Sequence, residues 1–177
     1  MHHRIAALLT PLLAAGLLTA TAAAAPAEQT AGTKTVVGVA AGDKRFTTLV
    51  TLVKQAGLAQ TLSAKGPYTV FAPTNAAFAK LKQNAPATYE AVATTPALLK
   101  KVLTYHVLAK RVPSTAAVAA ARQGASVKTV QGERIKLSLK AGKLVLNGNS
   151  RVIVADVKAS NGVIHAIDTV LVPPSAA

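Results

Sequence analysis

An α+β fold follows from three observations on this sequence. Apolar residues recur at helical spacing through the first part of the chain, and the second part changes to strand periodicity. Asn147-Gly148 then supplies a hairpin turn between two of the strands, because both residues tolerate positive φ. Helices followed by an antiparallel meander place the helices on one side or end of a sheet. At 177 residues with no internal repeat, one core is expected.

The chain opens on the basic Met1-His2-His3-Arg4, and Ile5 to Leu18 form a mostly apolar run too short to span a bilayer as a helix. Small residues from Ala20 to Pro26 follow, with A-x-A sites ending at Ala22 and Ala24, so residues 1–24 read as a cleaved signal peptide. The alternative, an uncleaved anchor, is weakened by Thr10, Pro11 and Gly16. No transmembrane span is expected after cleavage, and a secreted or periplasmic location follows. The chain has no cysteine, which excludes a lipobox and any disulfide framework. Residues 25–34 read as a short linker, 35–174 as the domain and 175–177 as a tail.

In the domain, Phe46, Leu49, Val50, Val53 and Ala56 line one face of a helix, with Asp43 as its cap and Gly57 as its stop. Gly66-Pro67 turns the chain into a strand over Tyr68 to Ala72. Pro73-Thr74 ends that strand, and Thr74 caps a helix that carries Phe78 and Leu81 inward. Short helices are expected at Ala87 to Ala93 and Thr115 to Ala121. Between them, Thr95 as cap and Pro96 at the first helical position open a stronger helix. Its Leu98, Leu99, Val102, Leu103, Tyr105 and His106 fall at spacings of three and four, so Tyr105 and His106 face the apolar side. Arg134 to Lys140, Lys143 to Leu146, Arg151 to Lys158 and Val163 to Val172 read as strands.

Catalytic machinery is scarce. Outside the leader only His106 and His165 remain, and neither an H-x-x-x-H nor an H-E-x-x-H spacing occurs. No G-x-S-x-G elbow and no glycine-rich phosphate loop is present. His165 and Asp168 invite comparison with a dyad, but strand alternation turns them to opposite faces. His165 shares its face with Val163, Ile167 and Thr169; Asp168 shares the other with Ile164, Ala166 and Val170. A central strand and structural roles for both residues are expected. Neither a catalytic residue, a metal nor a cofactor is assigned.

The formal net charge is +14, and only Arg4 of the cations lies in the leader. Such a field concentrates anionic partners. Only Lys44-Arg45, Lys100-Lys101 and Lys110-Arg111 are adjacent, without interleaved aromatics, so no specific nucleic acid is expected.

Two blocks carry a family signature: Thr69-Val70-Phe71-Ala72-Pro73-Thr74-Asn75-Ala76-Ala77-Phe78, and Asn161-Gly162-Val163-Ile164-His165-Ala166-Ile167-Asp168-Thr169-Val170-Leu171-Val172-Pro173. With Gly66-Pro67-Tyr68, Leu103 to Leu108 and Lys128 to Gly132 in the same order, the chain from about Thr35 to Pro173 resembles the fasciclin (FAS1) domain. The resemblance implies a β-wedge of antiparallel strands with helices packed on one side. It also implies an exported, non-catalytic role in cell adhesion or cell-surface and matrix interaction. The alternative implied is carriage of an apolar ligand such as a carotenoid or lipid; a hydrolase is disfavoured by the missing constellation. In animal members a Tyr-His pair is associated with integrin binding, and that pair maps to Tyr105 and His106. An interaction motif or a structural one is therefore expected among Tyr105, His106, Thr74, Asn75, His165 and Asp168. In the structural version, His106 bonds to the Thr74-Asn75 corner or to a group of the last strand. The partner expected is a cell-surface or matrix component, with anionic polysaccharide favoured by the charge.

Overall fold

The computed structural model describes residues 34–176, so the expected leader and nearly all of the linker lie outside the described residues. From Lys34 the chain forms helix α1 (Val36–Ala41), a 3-10 turn (Lys44–Phe46), α2 (Thr47–Gln55), α3 (Ala59–Ser63) and strand β1 (Tyr68–Pro73). Helices α4 (Asn75–Asn84), α5 (Pro86–Thr94) and α6 (Pro96–Tyr105) follow, then β2 (Val107–Leu108) and α7 (Ser114–Arg122). The rest is β3 (Ser126–Lys128), β4 (Arg134–Lys140), β5 (Lys143–Leu146), β6 (Ser150–Ala159), β7 (Gly162–Ile167) and a 3-10 turn (Pro174–Ala176).

Local chemistry accounts for most of these boundaries. The Asp43 carboxylate accepts the Arg45 N–H at 2.9 Å, so it caps the 3-10 turn that leads into α2. Gly57 ends that helix at φ +68°, where a side chain would be strained. Thr74 caps α4 by accepting the Ala77 N–H. Thr95, expected to cap α6, offers extended backbone but no side-chain bond; the exposed first turn leaves its N–H groups to solvent. The β4–β5 and β5–β6 turns both run through positive φ, at Ala141 (49°) with Gly142 (74°) and at Asn147 (50°) with Gly148 (80°).

Among the described residues seven strands form one sheet in the order β2-β1-β7-β6-β5-β4-β3. From β3 to β7 every pairing is antiparallel, as expected. The β1–β7 pairing is parallel, from Tyr68↔Gly162 to Pro73↔Ile167, so the sheet is mixed rather than wholly antiparallel. Hairpin rules govern strands that are neighbours in sequence, and these two are not. The last strand also stops at Ile167 instead of Val172. Beyond it the chain bends away, and the Leu171 N–H bonds to His106 instead of to a neighbouring strand.

Side-chain alternation on β1 and β7 builds a core on each face. Val70, Ala72, Ile164 and Ala166 meet buried side chains of α1 to α6, including Leu49, Phe78 and Val102. Phe71 and Ile167 face a second core with Leu137, Leu146 and Leu171, and α7 packs there through Ala117 and Ala121. The helices are thus not all on one side: α7 belongs to the second core. β7 is buried along its whole length, which makes it the central strand expected from its two apolar faces.

Candidate functional site

The end of α6 brings Tyr105 and His106 inward, with 0% and 2% of their surfaces exposed. The Tyr105 hydroxyl donates to Arg134 O at 3.1 Å and accepts from Asn147 Nδ2 at 2.9 Å. Burial pushes its pKa up, against the lowering effect of the Asn147 bond. His106 uses both ring nitrogens. Nε2 accepts the Leu171 N–H at 3.0 Å, which leaves the proton on Nδ1 to donate to Val102 O at 2.7 Å. Its main-chain oxygen accepts the Phe71 N–H at 2.8 Å. His106 therefore touches both signature blocks, the first through its backbone and the second through its ring. Burial pushes its pKa down to about 4, although the bond to Val102 works in the opposite sense.

Thr74 and Asn75 make the corner between β1 and α4. The Thr74 N–H donates to Ile167 O at 3.2 Å, tying the corner to the end of β7. Asn75 Oδ1 accepts the Thr48 N–H at 3.0 Å, and its Nδ2 donates to Lys44 O and Thr47 Oγ1, both at 2.9 Å. This corner holds the start of α2, and His106 bonds to neither residue through its side chain.

His165 and Asp168 are not brought together. The fully buried His165 ring stacks on Phe71 with centroids 5.7 Å apart. Its Nδ1 accepts the Asp156 N–H at 3.2 Å, so Nε2 carries the proton that goes to Val112 O at 2.9 Å. Asp168 lies past the strand end, partly exposed, where its Oδ1 accepts the Arg151 N–H at 2.9 Å and the Thr169 hydroxyl at 3.0 Å. Lys80 Nζ stands 3.8 Å from its other oxygen. Asp168 thus ties a strand-end amide, the structural role expected of it, and stays partly exposed.

Three ties escape the sequence reading. Asn161 accepts the Val36 N–H at 2.8 Å and donates to Leu62 O and Ala64 O, each at 2.8 Å, fastening α1 and α3 to the β6–β7 turn. Thr69 donates to Lys110 O at 2.6 Å and accepts the Val112 N–H at 2.8 Å. A polar residue at the start of an apolar strand is the signal that points to it. Asp156, at φ 57° where β6 is irregular, accepts the Ser114 N–H at 2.8 Å and the Ser114 hydroxyl at the start of α7. Burial works to raise its pKa, yet the Ser114 bonds prevail and hold it below the usual carboxylate value. Of these residues Ser114 and Asp156 pair a hydroxyl with a carboxylate, as a tie between α7 and β6, and among the described residues no three His, Asp or Glu side chains cluster as a metal site would require. An apolar cavity of about 30 Å³ lies between α1, α2 and β1, lined by Val36, Leu49, Val53, Val70 and Ile164 and reached by His106.

The fasciclin domain family model matches residues 44–173. Protein sll1483 of Synechocystis sp. is 46% identical over 142 residues, spanning 79% of this chain and 74% of that protein. The cell surface glycolipoprotein MPB83 of Mycobacterium bovis is 37% identical over 110 residues, 62% of this chain and 46% of that one. A solved FAS1 domain pair from the insect cell adhesion molecule fasciclin I shares the fold, with a TM-score of 0.71 at 21% identity. That match covers 81% of this chain and 52% of the other. By sequence over most of its length and by fold, the chain belongs to the fasciclin domain family.

Proposed function

We propose that this protein is an exported, non-catalytic module that adheres to a cell-surface or matrix component through its exterior, with an acidic polymer as partner. One observation carries the reading: the polar groups of both signature blocks are engaged within the fold, which leaves surface contact as the means of binding. The net charge of +14 supplies the attraction. The relatives fit, since MPB83 is named a cell surface protein and fasciclin I a cell adhesion molecule. Tyr105 and His106 act as internal ties in this reading, not as a partner's handhold.

Carriage of a carotenoid or lipid is less well supported. The apolar cavity of about 30 Å³ has room on the scale of a water molecule, so a polyene held there would have to part α1 and α2 from the sheet. The test is retention of the full protein on an immobilised anionic polysaccharide. Binding is expected at low salt and should fall steeply as salt rises. Salt-independent binding, or none at low salt, overturns the proposal.

A further inference from the structure

We infer that the outer face of β3, β4 and β5, continued by Arg151 on β6, is the docking surface for a linear acidic polysaccharide; the inference rests on the surface-contact reading above and gives it a place. Residues directly paired across strands share a face, as do alternate residues along one strand. The register pairs Lys128 with Arg134, Ser126 with Lys136, and Lys140 with Lys143. Val145, itself buried, pairs with both Ser138 and Arg151, which brings Arg151 to the same face. Six cations therefore project from one side of the sheet, and all six are exposed. The opposite side of the same strands carries Ile135, Leu137, Leu144 and Leu146 into the second core, which anchors the array.

At a rise of about 3.4 Å per residue, Arg134 and Lys140 stand about 20 Å apart along β4, with Lys136 between them. Neighbouring strands add cations at lateral steps of about 4.8 Å. This is a fixed lattice of positive charge rather than a flexible tail, and it suits a polymer whose own charges repeat.

One carboxylate, Asp168, stands at the margin of the six, opposite Arg151 and beside Lys143, and none stands among Lys128, Arg134, Lys136 and Lys140. Of the described acidic residues, Asp43 is paired with Arg45, Glu90 lies on α5, and Glu133 is bonded by Gln131 and Ser175. Asp156 is held by Ser114, and Asp168 reaches Arg151 only through the main-chain N–H. The two ion pairs among the described residues both lie elsewhere, and within the array Lys140 Nζ donates to Gly148 O at 2.8 Å. Bringing six like charges together with a single carboxylate at the margin favours a polyanion over a single small anion.

Other polyanions fit less well. The tyrosines and phenylalanines, at 68, 89, 105, 46, 71 and 78, all lie outside these strands, so no base could stack there. A membrane surface would favour apolar side chains among the cations, and the large apolar side chains exposed near this face, Val130 beyond β3 and Ile153 on β6, stand outside β3, β4 and β5.

The test uses the full chain on immobilised heparin and polygalacturonate, eluted with rising salt. The variant Arg134→Gln/Lys136→Gln/Lys140→Gln should weaken retention roughly tenfold or more at fixed salt. Lys54→Gln/Lys65→Gln/Lys100→Gln removes the same charge from exposed positions elsewhere and should weaken it far less. The charge-preserving Arg134→Lys/Lys136→Arg/Lys140→Arg should bind like the unsubstituted protein, which separates lost charge from lost folding. Equal losses in the two neutralised triples overturn this face but leave surface contact standing. Absence of retention for the unsubstituted protein at low salt removes the surface-contact reading itself. Tighter binding to duplex DNA or to phosphatidylserine vesicles at equal salt overturns the polysaccharide as partner.

Discussion

Acidification should destabilise this protein well before its carboxylates titrate, and His106 is the cause. Unfolded, the imidazole titrates at its ordinary value of 6.5; folded, it stays neutral down to about 4. Between these values the unfolded state binds one proton that the folded state refuses, so stability falls as pH falls. The contribution is complete above pH 6.5, declines by about 1.4 kcal/mol per pH unit below it, and levels off under the folded pKa. Over the whole window the loss is about 3 kcal/mol, a large share of the stability of an ordinary domain. Asp43, Glu133 and Asp156 have lowered pKa values, so their contributions are lost only at lower pH, beneath the ordinary carboxylate range. Urea unfolding followed by circular dichroism from about pH 7 to about pH 4.5 reads the slope directly. In His106→Gln the slope should flatten, at a fixed cost of about 1–3 kcal/mol because Val102 O loses its donor. An unchanged slope in that variant, or a folded-state His106 titrating near its ordinary value by NMR, refutes the reasoning.

Other substitutions test the ties. A Cβ on Gly162 would stand 2.1 Å from Tyr68 O, so Gly162→Ala must push β1 and β7 apart and cost at least about 3 kcal/mol in thermal or denaturant unfolding; a loss under about 1 kcal/mol would show that the strands yield freely. Asn161→Ala removes three bonds to backbone groups of α1 and α3 and should cost about 2–4 kcal/mol, with hydrogen exchange accelerating first in α1. Tyr105→Phe should lose about 1–2 kcal/mol while leaving retention on an acidic polymer unchanged. Retention that drops with stability intact would make Tyr105 a contact residue after all.

What could be read from the residues divides along the range of the forces involved. The β4–β5 and β5–β6 hairpins were legible because turn chemistry and strand alternation are local. Inward placement of Tyr105 and His106 was legible for the same reason, from helical spacing. Their partners were legible only in part: a bond from His106 to the Val163 to Val172 segment was one expected alternative and Leu171 supplies it, whereas Asn147 and Arg134 reach Tyr105 only through the tertiary fold. The parallel β1–β7 pair and the early end of β7 likewise depend on distant residues competing for the same backbone groups. Lysines that look scattered as neighbours in sequence become an array because Arg134, Lys136 and Lys140 sit at alternate positions, a spacing that adjacency alone hides.

The parallel pairing of β1 with β7 also sets the order in which the chain can assemble. β1 lies between β2 and β7, and its β7 partners are on the order of 90 residues further along. A chain emerging from its N-terminal end exposes Val70, Phe71 and Ala72 long before Ile164, His165 and Ala166 exist to cover them. Both cores meet at that pair of strands, so neither can close early. Folding is therefore governed by one late, long-range closure, which makes for a slow folder whose apolar β1 must be kept from other chains in the interval.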